Sequence, residues 1–274
     1  MTTKAGLLVR LLLRARFLAA VVAVALSILV LLPDRLGLDQ WTPFAQVVAF
    51  RPGLAAATVV LGVLMLARRE AWLSSAALMA VGVLAAVTVL PRTVPGPEPA
   101  VGGRKLSVLL FNVYDGRADA AELAQLIRDR RPDLVALPEA GQGFRARVDH
   151  ELAGQGYRSW SSGRPGEPEV DGVTALAAPS AGAVRVELGA QTLFPYLELS
   201  GGGLGRLEFV AFHAAAPVAD LTDRWRRDLG LLRQWCLSGH AIVAGDLNAT
   251  LDHSVLRDNV SGCSDAASTP LTSM

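Results

Sequence analysis

Apolar residues follow two regimes along this chain. In the first 90 residues they form long uncharged runs. Phe17–Leu32 ends at Pro33, Gly53–Ala67 extends backwards through Val47–Phe50 across Arg51-Pro52, and Ala71–Leu90 carries no charge at all. A bilayer crossing takes about 20 apolar residues. The pattern therefore predicts an N-terminal bundle of three transmembrane helices, spanning roughly 11–32, 47–67 and 71–90. Arg14 and Arg16 would snorkel at the start of the first. A cleaved signal peptide is the other reading of that first run, but no small-residue cleavage site follows it.

Beyond residue 104 the apolar runs shorten and alternate with helical periodicity. Leu106–Phe111, Asp133–Leu137, Val173–Ala178, Ala183–Leu188, Pro195–Leu199 and Arg206–Phe212 read as strands, with Gly201–Gly203 turning the last two into a hairpin. Asp119 and Glu122 form an N-cap and capping-box pair opening a helix that buries Leu123, Leu126 and Ile127, and Pro132 stops it. Leu221, Trp225, Leu229, Leu232 and Cys236 mark one further helix. Ala241–Ala244 reads as a fully buried strand, with Gly245 freeing the backbone to turn or to approach a ligand. Strands alternating with helices predict an α/β domain over 105–274. The Pro- and Gly-rich stretch 92–104 separates it from the helices of 1–91 as an extended, semi-rigid linker.

Charge divides at the same place. Residues 1–91 carry eight Lys/Arg against three Asp/Glu, while the remainder is net acidic although the whole chain is +1. Lys4, Arg10, Arg14 and Arg16 precede the first run, and Arg68-Arg69 lie between the second and third. The positive-inside rule puts both clusters in the cytoplasm. Three spans then predict a multi-pass protein of the cell membrane with a cytoplasmic N-terminus and an extracytoplasmic C-terminal domain. No acid or histidine interrupts the runs to mark a transport path, so the bundle reads as an anchor in the lipid bilayer. An acidic domain does not offer the broad basic surface that nucleic acid attracts.

The expected strands end in polar, chemically capable residues. Asn112 follows the first, Glu139 the second, His213 the Arg206–Phe212 strand, and Asp246 with Asn248 the last. Each alone is more often structural; Asp246 and Asn248 in particular could simply cap backbone N–H groups in a turn. If the chain stays extended there, period 2 sets both on one face. Convergence of such ends at one rim of an α/β core is the pattern of an active site.

Phe111-Asn112-Val113, Leu134–Glu139, Phe212-His213 and Gly245-Asp246-Leu247-Asn248-Ala249-Thr250 resemble, in order, the motifs of the endonuclease/exonuclease/phosphatase family. The resemblance covers about Leu106 to Asp265 and is most specific in the Gly-Asp-x-Asn-Ala-Thr block. It implies a four-layer α/β/β/α sandwich of the DNase I-like type and phosphoester hydrolysis, of the phosphodiesterase or nuclease kind, that depends on a divalent metal, Mg²⁺ or Mn²⁺. Glu139 then resembles the metal ligand and Asn112 the residue beside it that helps set the metal site. Asp246 resembles the acid that orients or deprotonates the attacking water, and Asn248 and His213 the groups that hydrogen-bond phosphate oxygens. Two departures stand out. Pro138 replaces a common Gln, and the family's later strands with a Ser-Asp-His-type motif are not found before Met274. The domain is therefore expected to be incomplete, lacking its last strands, and a catalytically impaired or dead member serving as a binding or structural module is the alternative. An unrelated membrane protein with a small α/β domain is a third reading.

Two cysteines, Cys236 and Cys263, fall in the domain expected outside the cytoplasm. There a disulfide is permitted; two buried thiols are the other reading, since Cys236 lies on the apolar helix face. Expected partners are the bilayer and a phosphoester substrate, whether nucleic acid, nucleotide or lipid headgroup. No obligate protein partner is evident.

Overall fold

The computed structural model describes residues 2–67, 71–90 and 105–266. The Arg68-Arg69 pair and the expected linker 92–104 lie outside the described residues. The chain forms two compact units. The first holds the described residues up to 90 together with 252–254 and 265–266; the second holds 105–251 and 255–264.

In the first unit the helices are α1 (Thr2–Leu31), α2 (Phe44–Val48), α3 (Arg51–Leu66) and α4 (Trp72–Val89). α3 and α4 approach closely through small residues. A Cβ added at Gly62 would lie 2.5 Å from Met79 Cγ, and one at Gly82 2.7 Å from Val59 Cγ2. The Ser75 hydroxyl donates to the Gly62 carbonyl. Such small residues let the two helix backbones approach closely.

Two stretches are long and apolar enough to cross a membrane, Leu13–Leu31 and Trp72–Val89. The expected second span, 47–67, is not one helix. α2 stops at Val48 and α3 starts afresh at Arg51, with Pro52 in its first turn. The 16 residues of α3 rise about 24 Å, short of the ~30 Å of a hydrocarbon core. The physical reason is Arg51, whose guanidinium is buried against the carboxylates of Asp34 and Asp252, the latter at 2.9 Å. A group that must meet two carboxylates starts the helix instead of lying inside an apolar run. The expected three-helix bundle thus becomes two helices of sufficient length and a shorter third.

The second unit is a mixed α/β fold with two four-stranded sheets. One sheet contains β1 (Val108–Leu110), β2 (Leu134–Pro138), β3 (Arg158–Ser161) and β4 (Val173–Ala177) in the order β1-β2-β4-β3. The other contains β5 (Arg185–Gly189), β6 (Tyr196–Ser200), β7 (Glu208–His213) and β8 (Ala241–Asp246) in sequence order. Only β1–β2 and β7–β8 are parallel; the remaining neighbours are antiparallel.

Strand β2 shows why the sheets stack. Leu134 and Ala136 pack with Val173, Ala175, Leu197, Leu199, Phe209 and Ala211 between the sheets. The alternate residues Val135 and Leu137 pack outward on Leu123 and Ile127 of α5 (Ala120–Arg130) and on Phe144 and Val148 of α6 (Gln142–Glu151). Both faces are covered, so every residue of β2 is buried and the run is continuously apolar. Behind the second sheet lie α7 (Thr222–Gly230) and α8 (Leu232–Ser238), with Trp235 edge-on to Tyr196 and Phe212 at 5.1 and 5.6 Å. A short α9 (Ser254–Asn259) follows.

Several local expectations change. The helix expected over Leu221–Cys236 breaks at Leu231 into α7 and α8. α6 and β3 carry no clean periodicity and were not anticipated. β8 is half-buried instead of fully buried, because it is the edge of its sheet and only Ala244 is enclosed. Gly245 does not turn the chain: it stays within β8 paired with Phe212, and a Cβ there would sit 1.9 Å from the Phe212 carbonyl oxygen. Asp119 does cap α5, accepting from the N–H groups of Ala121 and Glu122. Cys236 and Cys263 form a disulfide with Cα atoms 4.8 Å apart. Closing a separation of 27 residues contributes about 3.5 kcal/mol in the chain-entropy account.

Candidate active site

The two parallel pairs decide where the chemistry sits. Parallel neighbours finish at the same rim, and β1–β2 and β7–β8 are the strands whose ends carry the expected residues. His213 and Asp246 close β7 and β8 as directly paired residues. Asn112 leaves β1 just beyond the register Leu110↔Ala136, and Glu139 follows Pro138 at the end of β2. One ligand atom each from Glu139, His213 and Asp246 lies within 4.8 Å of the others. Asn112, Glu139, His213 and Asp246 are therefore together despite wide separation in sequence.

Asn112 joins the carboxylates. Its Nδ2 donates to Glu139 Oε1 and to Asp246 Oδ2, both at 2.9 Å. Its Oδ1 accepts the Tyr114 N–H at 2.8 Å. These partners fix the amide orientation: the backbone N–H needs an acceptor and the carboxylates need donors. Asn112 thus meets both carboxylates of the cluster with its nitrogen.

The loop after β1 wraps the Glu139 carboxylate. The Asp115 N–H donates to Glu139 Oε2 at 2.6 Å. Tyr114, Asp115 and Glu139 itself are left-handed, with φ of 51°, 53° and 62°. Such backbone in non-glycine residues is uncommon and clusters at functional sites. Asp246 is satisfied on both oxygens, since Oδ1 accepts the Asn248 N–H at 2.9 Å. Asn248 is left-handed as well, at 47°, so the chain turns there and does not stay extended. Its Nδ2 donates to the Ala214 carbonyl at 3.0 Å. Asn248 thereby ties the end of β8 to the residue after His213, and the capping role of Asp246 coexists with its place in the cluster.

His213 is 2% exposed and its Nδ1 has no hydrogen-bond partner among the described residues. Phe194 stacks on its ring, with centroids 4.4 Å apart and planes at 14°. Burial lowers the imidazole pKa, and the nearby charges of Asp246 and Glu139 pull it partly back up. The folded protein then binds this proton less readily than the unfolded chain, whose histidine titrates near the ordinary value of about 6.5. The resulting contribution to stability is fully present above about pH 6.5 and is lost as pH falls from there through the folded value. In chelator, the denaturant midpoint of the wild type relative to that of His213→Phe should be constant above pH 7 and decline below 6.5. The His213→Phe protein should lose that part of the slope; an unchanged slope would remove His213 as its source.

The donor set fits a hard divalent cation. Two carboxylates face one another in a partly buried site, where they repel unless donors or a cation intervene. Oxygen ligands suit Mg²⁺ or Mn²⁺, and the orphaned Nδ1 of His213 is a buried polar atom still to be satisfied.

Phe194 was missed by sequence reasoning, and nothing in its local pattern marks it. Asp228 was missed too, although a signal existed: it is an acid three residues from Trp225 on the apolar stripe of α7, and it is fully buried.

A family model described as Endonuclease/Exonuclease/phosphatase family matches residues 109–263. Comparison with curated proteins gives no match. Among solved structures, D. rerio TDP2 complexed with single strand DNA product is 20% identical over 58% of this chain and 66% of that one, with a TM-score of 0.45. Humanized D. rerio TDP2 is 19% identical over 58% and 68%, at 0.44. The mannosyl-6-phosphatase Bt3783 of Bacteroides thetaiotaomicron is 13% identical over 57% and 70%, at 0.45. The chain spans about two thirds of the length of these proteins.

Proposed function

The chain belongs to the endonuclease/exonuclease/phosphatase family, and on that premise we propose that it is a membrane-anchored, divalent-metal-dependent phosphoester hydrolase with an extracytoplasmic catalytic domain. The observation that carries this reading is the meeting of Glu139, His213 and Asp246 within 4.8 Å at one rim. Glu139 and Asp246 would hold Mg²⁺ or Mn²⁺, which when bound supplies polarisation of the phosphoryl group and stabilisation of the leaving oxygen. Asp246 orients the attacking water and accepts its proton. Asn112 keeps the two acids in place from the side of its nitrogen. His213 donates to a phosphoryl oxygen from its place beside Asp246. One Asn248 N–H is committed to Ala214, and the second is the donor left for the phosphate.

Residues 1–91 serve as the anchor, 92–104 as the linker and 105–274 as the catalytic domain. The disulfide supports the orientation. Two spans would return the domain to the cytoplasm, where stable disulfides are rare; three spans deliver it outside. The short α3 would then cross with local thinning of the bilayer. An alkaline phosphatase reporter fused at Gly103 should be active, and a fluorescent reporter that matures only in the cytoplasm should be dark. The reverse pattern would overturn the three-span orientation.

Hydrolysis should be assayed on a panel of nucleotide, oligonucleotide and lipid-headgroup phosphoesters, with Mg²⁺, with Mn²⁺ and with chelator. Turnover that needs metal supports the proposal, and turnover undiminished by chelator would defeat its metal dependence. One observation favours a second reading, a module that binds phosphoesters with impaired turnover: among the described residues the cluster contains a single histidine, His213. Saturable binding of the same panel without hydrolysis would select that reading.

A further inference from the structure

Helix α7 contributes no residue to the acidic cluster, yet two of its buried side chains hold the segments that do. Asp228 is fully buried. Its Oδ2 accepts the N–H of Ala215 at 3.0 Å and the N–H of Leu193 at 3.3 Å. Ala215 lies two residues beyond His213, and Leu193 immediately precedes Phe194, the ring stacked on the His213 imidazole. One carboxylate oxygen therefore gathers both sides of the sandwich around that ring. One helical turn earlier, Trp225 is also fully buried and donates its Nε1–H to the carbonyl of Leu247 at 3.3 Å. Leu247 is the residue between Asp246 and Asn248.

A carboxylate is a costly choice for so enclosed a position. Burial raises the Asp228 pKa, opposed by the two backbone N–H groups and by Arg224 and Arg227. The Arg224 Nε lies 3.5 Å from Oδ1. An apolar residue would fill the space without that cost but would leave two buried backbone donors unpaired. The need for a strong acceptor reaching two strand-exit loops at once accounts for the acid.

We propose that Asp228 is a positioning residue for the hydrolysis, fixing His213 between its own strand exit and Phe194 while Trp225 fixes the Asp246–Asn248 turn. This rests on the reading under Proposed function, so the test has two independent readouts in the full-length chain. The first is kcat and KM on whichever panel phosphoester the wild type hydrolyses. The second is the NMR resonance of the His213 ring in selectively labelled protein, which reports ring position whether or not turnover occurs. Asp228→Ala should lower kcat about 10–100-fold with KM nearly unchanged, and should shift the His213 signal. Asp228→Asn, which keeps an accepting oxygen, should recover part of both. Phe194→Leu should shift the same signal, because it removes the stacked ring. Asp223→Ala, on the exposed side of α7, should move neither readout. A wild type without turnover defeats the hydrolase reading and leaves the ring signal to decide this one. A His213 signal identical in wild type, Asp228→Ala and Asp228→Asn, or a kcat unchanged once folded protein is counted, overturns the positioning role.

Discussion

Replacing Asp246 by Asn is expected to lower kcat by about 10²–10⁴-fold, the range for removing a positioned general acid–base group. The change is nearly isosteric, so the fold should survive it. The chemistry should not, for two reasons visible in the hydrogen bonds. Asp246 accepts on both oxygens, from the Asn112 side chain and from the Asn248 backbone. An amide offers one oxygen, so either donor would meet an NH₂ group and the Asn112 bridge or the β8 turn must shift. The carboxylate charge that would face a cation and take a proton is also lost. Glu139→Gln should be comparably damaging, since its oxygens accept from Asn112 and Asp115. The double variant should fall little below the worse single one, because groups acting as a unit are not additive. Steady-state kinetics with saturating Mn²⁺ checks this. An Asp246→Asn protein within tenfold of the wild type would mean that another group activates the water.

The cluster was legible because its residues terminate strands. A strand's end can be read from one sequence when an apolar run stops at Asn112, Glu139, His213 or Asp246. What the sequence could not supply was direction. Nothing local says that β1–β2 and β7–β8 would be the parallel pairs, and that fact brings the four ends to one rim. A turn at Gly245 is what its local sequence suggests, because its place inside β8 depends on Phe212, 33 positions away on the neighbouring strand. α6 and β3 escaped because Gln142–Glu151 mixes charge through a short helix with only Phe144 and Val148 buried. Asn112 shows a subtler limit. Its presence beside Glu139 was readable, but whether it presents oxygen or nitrogen is set by the Tyr114 N–H, which depends on a left-handed loop. In the first unit, hydropathy alone joined Val47–Phe50 to Gly53–Ala67 across Arg51-Pro52. The partners that make Arg51 a helix start, Asp34 and Asp252, lie 17 and 201 positions away.

That arginine carries the largest stability effect expected. The side chains of Arg51, Asp34 and Asp252 are 1%, 2% and 4% exposed. Arg51 also approaches Thr88 Oγ1 of α4 at 3.5 Å, so the guanidinium connects α3 to α4 as well as to both acids. Arg51→Ala removes the cation and leaves two carboxylates buried together, each desolvated and repelling the other. Breaking a buried ion pair from one side costs about 3–5 kcal/mol, and two acids sharing one cation place this site at the upper end. Arg51→Lys should recover little, because a point charge cannot present the planar fork that serves two carboxylates at once. The triple variant Arg51→Met, Asp34→Leu, Asp252→Leu should instead recover most of the loss, since replacing a whole buried charge set by apolar residues is often neutral or stabilising. Unfolding of the full-length protein in detergent, followed by far-UV circular dichroism against denaturant, separates these cases. An Arg51→Ala protein as resistant as the wild type would show that the three charged groups contribute nothing to holding the first unit together. A triple variant weaker than Arg51→Ala would show that the three groups are needed for their geometry and not merely for mutual neutralisation.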